Sequence, residues 1–275
     1  MSWWAIDVRT APRQRAAVGA WLVARTGHAV EERDDGVLVG FALDEADARR
    51  VLSELPAEGA EALNGPRRIE PVDWTVRWRE GLEARRIGRL TVAPSWVALP
   101  PEAGPAVVLD PEMAFGSGEH GSTRTALALL ERHLRPGDRV LDLGSGSGIL
   151  AIAAMKLGGA RAIGIETDAE ANEVAERNAV RNGVAGAARF VEGDASVLAP
   201  LMGPAELICS NILRTVNTRL LPAITRTLAP SGLALFAGME LVEAQRFRGA
   251  LAEARFAIVD ETSDTGWWGV AARPA

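Results

Sequence analysis

Three glycines at alternate positions, Gly144, Gly146 and Gly148, follow the apolar residues Val140, Leu141 and Leu143 and precede a run of good helix formers, Ile149 to Met155. That order predicts a strand, a tight turn and a helix, the opening of a nucleotide-binding α/β unit. Bare backbone at the turn admits a ligand that a side chain would hold off. The spacing is G-x-G-x-G, not the G-x-G-x-x-G of dinucleotide sites, and Asp142 lies inside the end of the strand. A carboxylate there would repel a pyrophosphate and suits a ligand carrying an ammonium or a sulfonium. The next apolar run, Ala162 to Ile165, ends in Glu166, placed to accept ribose hydroxyls. Asp194 and Asn211 also follow apolar runs. Asp194 can accept from an adenine amino group or cap a helix.

Asn211 is the candidate catalytic residue. Its amide oxygen can accept a hydrogen bond from an amine N–H and aim the nitrogen lone pair at an electrophilic carbon, but it cannot act as a base. An ammonium must first lose its proton, at a cost of about 4.6 kcal/mol at pH 7 from an ordinary pKa of about 10.4. A partly dry, neutral pocket reduces that cost.

S-adenosylmethionine carries both cations that Asp142 would suit, and the glycine turn with an acid on either side resembles the binding site of class I S-adenosylmethionine-dependent methyltransferases. The stretch Leu109 to Thr123 fits the same ligand. It is glycine-rich and polar, yet holds Met113 and Phe115. Ser122 or Thr123 can cap the helix that follows, and the free N–H groups there suit a carboxylate. The expected cofactor contacts are therefore Phe115, Thr123, Asp142, Gly144, Gly146, Gly148, Glu166, Asp194 and Asn211.

The elements that must position these residues alternate strand and helix. After the glycine turn, a helix over Ala169 to Asn182, strands ending before Glu192 and at Cys209, a helix over Val216 to Leu228, a strand over Leu233 to Ala237 and a helix over Leu241 to Ala252 are expected. Strands over Phe256 to Asp260 and Trp267 to Ala272 close the chain as an antiparallel pair. The expected fold is α/β, a doubly wound, mostly parallel seven-stranded sheet, with the ligand at the carboxyl ends of the strands. Ahead of it the pattern reads β-α-β-β-α: a strand over Trp3 to Arg9, a helix from Pro12 to Thr26, a hairpin through Asp34-Asp35-Gly36, and a helix from Glu45 to Leu55. A last strand lies near Arg67 to Val72. This predicts a small α+β ferredoxin-like domain, residues 1–58, for recognition or scaffolding. A linker follows over 59–72, then a methyltransferase domain over 73–275. Trp74 and Trp78 are four apart on a predicted helix, where they pack one face or stack on a ligand. Short strands are expected over Ile87 to Val92 and Ser95 to Leu99.

The net charge of −6 is spread without a basic cluster, so no direct nucleic-acid or membrane footprint is expected. A single cysteine excludes an internal disulfide, and three scattered histidines offer no zinc spacing, so no metal is expected. Cys209 reads as a small buried hydrophobe. With no leader and no long apolar run, a monomeric, cytoplasmic protein is expected.

Four stretches resemble the bacterial PrmA-type methyltransferases of ribosomal large-subunit protein eleven: DPEMAFGSGEHGSTRTAL (from Asp110), VLDLGSGSGILAIAAMKLGGARAIGIETD (from Val140), NAVRNGV (from Asn178) and SNIL (from Ser210). The resemblance implies cofactor contacts at Thr123, Gly144, Glu166 and Asn211. It also implies a ferredoxin-like domain holding a protein substrate, and methylation of lysine side chains and an α-amine. The sequence departs from the family pattern in its N-terminal block, which is short, and at three positions. Glu119 adds a charge, Gly121 stands where the family has proline, and position 166 is Glu where Asp is frequent. Other readings are a related enzyme acting on another protein lysine or a small molecule, a nicotinamide-dependent oxidoreductase of similar fold, and a non-enzymatic binding module. The last is opposed by the intact set Gly144, Gly146, Gly148, Glu166 and Asn211.

Overall fold

A computed structural model describes residues 3–33, 35–56, 59–69, 83–110 and 118–275. The expected helix carrying Trp74 and Trp78, and the candidate contact Phe115, lie outside the described residues. The chain divides into two compact units, Met1–Gly81 and Leu82–Ala275.

The first unit runs β1 (Trp3–Thr10), α1 (Arg15–Thr26), β2 (Glu31–Glu32), β3 (Val37–Ala42), α2 (Glu45–Ser53), β4 (Ala60–Ala62) and β5 (Arg67–Ile69). Its strand order is β2-β3-β1-β4, with β5 also paired to β1. The alternation read along β1 holds: Ile6 and Val8 are fully buried against Leu22, Leu38 and Val51. Asp44 caps α2 by accepting from the Asp47 N–H at 2.7 Å. The stretch expected to be a linker contributes β4 and β5. Both pair antiparallel with β1, whose second edge would otherwise leave its ladder groups unpaired.

The second unit opens with a three-stranded sheet, β6 (Arg85–Ile87), β7 (Leu90–Ala93) and β8 (Ala106–Val108). The third strand is not at Ser95 to Leu99 as the apolar pattern suggested. The Ser95 N–H and hydroxyl are taken by the Asp110 carboxylate instead, at 2.7 and 2.9 Å.

The main sheet and its helices follow: α3 (Gly121–His133), β9 (Arg139–Leu143), α4 (Ile149–Lys156), β10 (Arg161–Glu166), α5 (Ala169–Arg181), β11 (Ala188–Glu192), α6 (Ala195–Met202), β12 (Ala205–Asn211), α7 (Arg214–Thr227), β13 (Leu228–Glu240), a short 3-10 turn (Leu241–Glu243), α8 (Ala244–Glu253), β14 (Phe256–Asp264) and β15 (Trp267–Pro274). The seven strands order as β11-β10-β9-β12-β13-β15-β14. Pairing is parallel from β11 to β13, and β15 runs antiparallel between β13 and β14. Both faces are covered, which explains the near-continuous apolar strands. Val140 joins the core beneath α3 and α4, whereas Leu141 and Leu143 join the opposite core with Leu220, Ile224 and Phe247.

Helix α6 has no counterpart in the sequence reading. Pro200 lies inside it and interrupts the helical signal, but the Asp194 side chain accepts from the Ser196 N–H at 2.8 Å and starts the helix.

Candidate active site

A cavity of about 640 Å³ opens across the carboxyl ends of the strands. It lies where the order reverses between β9, which leads toward β10 and β11, and β12, which leads toward β13. Its floor is the glycine turn, Gly144, Ser145 and Gly146, and the first turn of α4, Ile149 and Leu150. At one end stand Glu166, Thr167, Gly193 and Asp194. At the other stand Asn211, Gly238, Trp267, His120 and Ser122. Ile212, Leu213, Val216 and Arg219 form the wall from β12 into α7.

Of the residues singled out by sequence, Gly144, Gly146, Glu166, Asp194 and Asn211 line this cavity. Thr123, Asp142 and Gly148 stand behind it. Gly148 is the N-cap of α4, and a Cβ there would meet the Phe190 ring at 2.7 Å. Being glycine, it has no side chain to cap the helix. Asp142 takes that task from the preceding strand: its Oδ2 accepts the Ala151 N–H at 3.2 Å, in the first turn of α4. The strand alternation forces this, because Asp142 must share a face with Val140, toward α4.

Asp142 is 1 % exposed, and its Oδ1 has no hydrogen-bond partner among the described residues. Burial raises its pKa from the ordinary 3.8 to about 7; the Ala151 N–H opposes that rise and the nearby Glu166 charge adds to it. The folded chain therefore binds a proton here that the unfolded chain releases between about pH 4 and pH 7. Stability contributed at this site is retained below pH 4 and falls as pH rises toward 7. Asp142→Asn keeps an acceptor for Ala151 without the charge. Its stability relative to the parent is expected to rise through that window and reach at most about 4 kcal/mol by pH 8, with no difference below pH 4. Urea melts of both proteins at pH 4 and pH 8 check this.

Glu166 reaches back to the turn. Its Oε2 accepts the Gly146 N–H at 3.1 Å, and its Oε1 accepts the Thr167 and Asp168 N–H groups at 2.7 and 3.2 Å. With the Thr167 hydroxyl also donating to Oε1, at 3.2 Å, the carboxylate is fixed in orientation at the cavity wall. Asp194 caps α6 and also lines the cavity. The Ser196 donors keep its carboxyl below the ordinary range, with a smaller contribution from Arg219.

Three buried acceptors or hydroxyls around the cavity have no partner among the described residues: Asn211 Oδ1, Ser145 Oγ and Thr123 Oγ1. Unpaired buried polar atoms are costly, and a ligand that satisfies them recovers that cost. A nucleoside with an amino-acid tail fits this donor and acceptor set.

Several residues of the site were not singled out by sequence. Asn217, fully buried on α7, donates to the Ile212 and Ala237 carbonyls at 3.0 Å each and accepts from the Ser210 hydroxyl at 2.6 Å. It ties the loop carrying Asn211 to β13. Gly238 lets that loop cross, since a Cβ would lie 2.5 Å from the Ile212 carbonyl oxygen. Trp267 stacks obliquely on His120, with ring centroids 4.4 Å apart. Among the described residues no cluster of metal-ligating side chains and no membrane-spanning helix is found.

A parallel sheet of this order, closed by an antiparallel β15, with a glycine turn after β9, an acid after β10 and an asparagine after β12, defines the class I methyltransferase architecture. The chain belongs to the family described as "Ribosomal protein L11 methyltransferase (PrmA)", whose family model matches residues 25–274. The ribosomal protein L11 methyltransferase of Pelotomaculum thermopropionicum is 39% identical over 230 residues, 81% of this chain and 74% of that protein. The enzyme of the same name from Thermus thermophilus is 41% identical over 219 residues, 78% of this chain and 80% of that protein. The crystal structure of a ribosomal protein L11 methylase from Lactobacillus delbrueckii subsp. bulgaricus superposes with a TM-score of 0.64 at 31% identity, covering 70% of this chain and all of that one.

Proposed function

We propose that this chain transfers methyl groups from S-adenosylmethionine to amino groups of ribosomal protein L11, on lysine side chains, the N-terminal α-amine, or both. Family membership motivates the acceptor. The observation that carries the chemistry is Asn211, which lines the same cavity as the glycine turn at the switch point of the sheet and whose buried Oδ1 has no partner among the described residues.

S-adenosylmethionine, when bound, supplies a methyl group on a sulfonium. The chain's own residues bind and aim. Glu166 accepts the ribose hydroxyls, and Asp194 accepts the exocyclic amine of adenine. Bare backbone at Gly144 and Gly146 admits the ligand. The N-terminus of α3, with Thr123 in its first turn, receives its carboxylate. Asp142 and Gly148 act from behind, by fixing the first turn of α4. Asn211 accepts from the acceptor amine and directs its lone pair, so alignment for in-line displacement is the main catalytic effect. The amine's proton leaves to water.

In the first unit, the strand order β2-β3-β1-β4 with two helices supports a ferredoxin-like recognition domain for the protein substrate. The second unit is the methyltransferase domain.

Incubating the protein with S-adenosylmethionine and purified L11, then measuring intact mass, tests the proposal. L11 is expected to gain methyl increments. An L11 mass that stays unchanged under conditions where the enzyme binds S-adenosylhomocysteine would overturn the choice of acceptor.

A further inference from the structure

The cavity's far end is built from the chain's last hairpin, and one side chain holds that hairpin in place. Arg124, in the first turn of α3, is about one-seventh exposed, 15%. Its Nε donates to Asp264 Oδ2, its Nη1 to the Glu119 carbonyl, and its Nη2 to Thr265 Oγ1 at 2.9 Å. The guanidinium in turn holds the Asp264 carboxyl below its ordinary range. Asp264 ends β14 and Trp267 begins β15, so Arg124 spans the turn between them. That turn has two consecutive residues at positive φ, Thr265 at 46° and Gly266 at 84°. A β-branched residue rarely adopts this conformation, and the surroundings must enforce it.

The turn also packs directly on the N-terminus of α3. A Cβ at Gly121 would lie 2.6 Å from Thr265 Oγ1, 2.6 Å from Trp267 Cδ1 and 3.0 Å from the Asp264 carbonyl oxygen. The hairpin occupies the space that a side chain at position 121 would need.

Because β15 runs antiparallel to β13, its first residue reaches the edge of the sheet where the parallel strands end. Trp267 thus enters the cavity on the side of Asn211 and Gly238, across the sheet from Glu166 and Asp194 at the ends of β10 and β11. The nucleoside belongs with the two acids and its amino-acid tail with the start of α3, and the acceptor enters beside that tail, between Trp267 and Asn211.

We infer that Arg124 is a positioning residue for the acceptor side of the cavity: by clamping the Asp264–Thr265 turn to the Glu119 carbonyl, it fixes Trp267 and, through the ring contact, His120 opposite Asn211. The inference rests on the proposed methyl transfer. Lysine cannot replace the clamp, because one ammonium does not reach three acceptors in the fixed fork of a guanidinium. Asp264→Ala would release the same turn from the hairpin side.

Arg124→Lys and Asp264→Ala are compared with the parent by three measurements. The first is the Kd for S-adenosylhomocysteine by calorimetry. The second is kcat and KM for L11. The third is the fluorine spectrum of protein carrying fluorotryptophan at its eight tryptophans, with Trp267 assigned from Trp267→Phe. Both variants are expected to lose about tenfold or more in kcat/KM for L11, with the Kd changed less than about threefold, and to shift the Trp267 resonance. Loss of affinity for S-adenosylhomocysteine in proportion to the loss in kcat/KM would show a general structural role and overturn the inference. An unmoved Trp267 resonance would overturn it too. If the parent protein fails to methylate L11, the acceptor assignment falls, and the resonance with the binding constants still decides the clamp.

Discussion

Gly144→Val is expected to weaken binding of S-adenosylhomocysteine by about 100-fold or more, a loss of about 2.7 kcal/mol. Gly144 has φ of 71°, where a β-branched residue is strained by about 1–3 kcal/mol. A Cβ there would also sit 2.5 Å from Ile212 Cγ2, which forms the opposite wall. The cavity narrows from both sides: the new methyls fill the floor and Ile212 is pushed. Gly144→Ala adds the clash without the branching and should fall between the two. Calorimetric titration with S-adenosylhomocysteine, after circular dichroism has shown each variant folded, checks the order. Undiminished heat of binding in a folded Gly144→Val would remove the glycine turn from the ligand site.

Asn211→Ala is expected to cost about 100-fold or more in kcat with almost no loss of stability, in line with the removal of one aligned polar group from a dry site. Stability should hold because Asn211 Oδ1 has no partner among the described residues, so truncation breaks no native hydrogen bond through that atom. The backbone of the loop stays tied by Asn217. Asn211→Asp gives a sharper test. A carboxylate beside the acceptor favours its ammonium form, raising the amine's pKa. The pH at which the rate rises should move upward, whereas alanine should lower the rate without moving it. A parental pH–rate profile in the aspartate variant would place Asn211 away from the acceptor.

Much of the site was legible because its rules are local. The glycine spacing, the acid after the second strand and the asparagine after the fourth each sit at the end of an apolar run. In a parallel sheet those ends converge at one edge, which brings Gly144, Glu166, Asp194 and Asn211 into one cavity. Asp142 shows where a local reading stops. Its position in the sequence matched a ligand contact, but the two-residue period of the strand turns it toward α4, and the missing side chain at Gly148 gives it a capping role. Helix α6 was hidden by Pro200. Trp267, Gly238 and Asn217 carried no signal of their own: each matters through a neighbour that is distant in sequence or through a backbone passing within van der Waals range. Gly121 was noticed only as a departure, and the hairpin that requires it lies at the far end of the chain.

That separation affects how the protein matures on the ribosome. Arg124 and Asp264 are 140 positions apart in the chain. Synthesis proceeds from the N-terminus, and segments settle as they emerge. The nucleoside end of the cavity can therefore assemble while the last hairpin is still inside the exit tunnel. The Trp267 side of the cavity is completed only when β15 pairs with β13, after every other lining residue has been made.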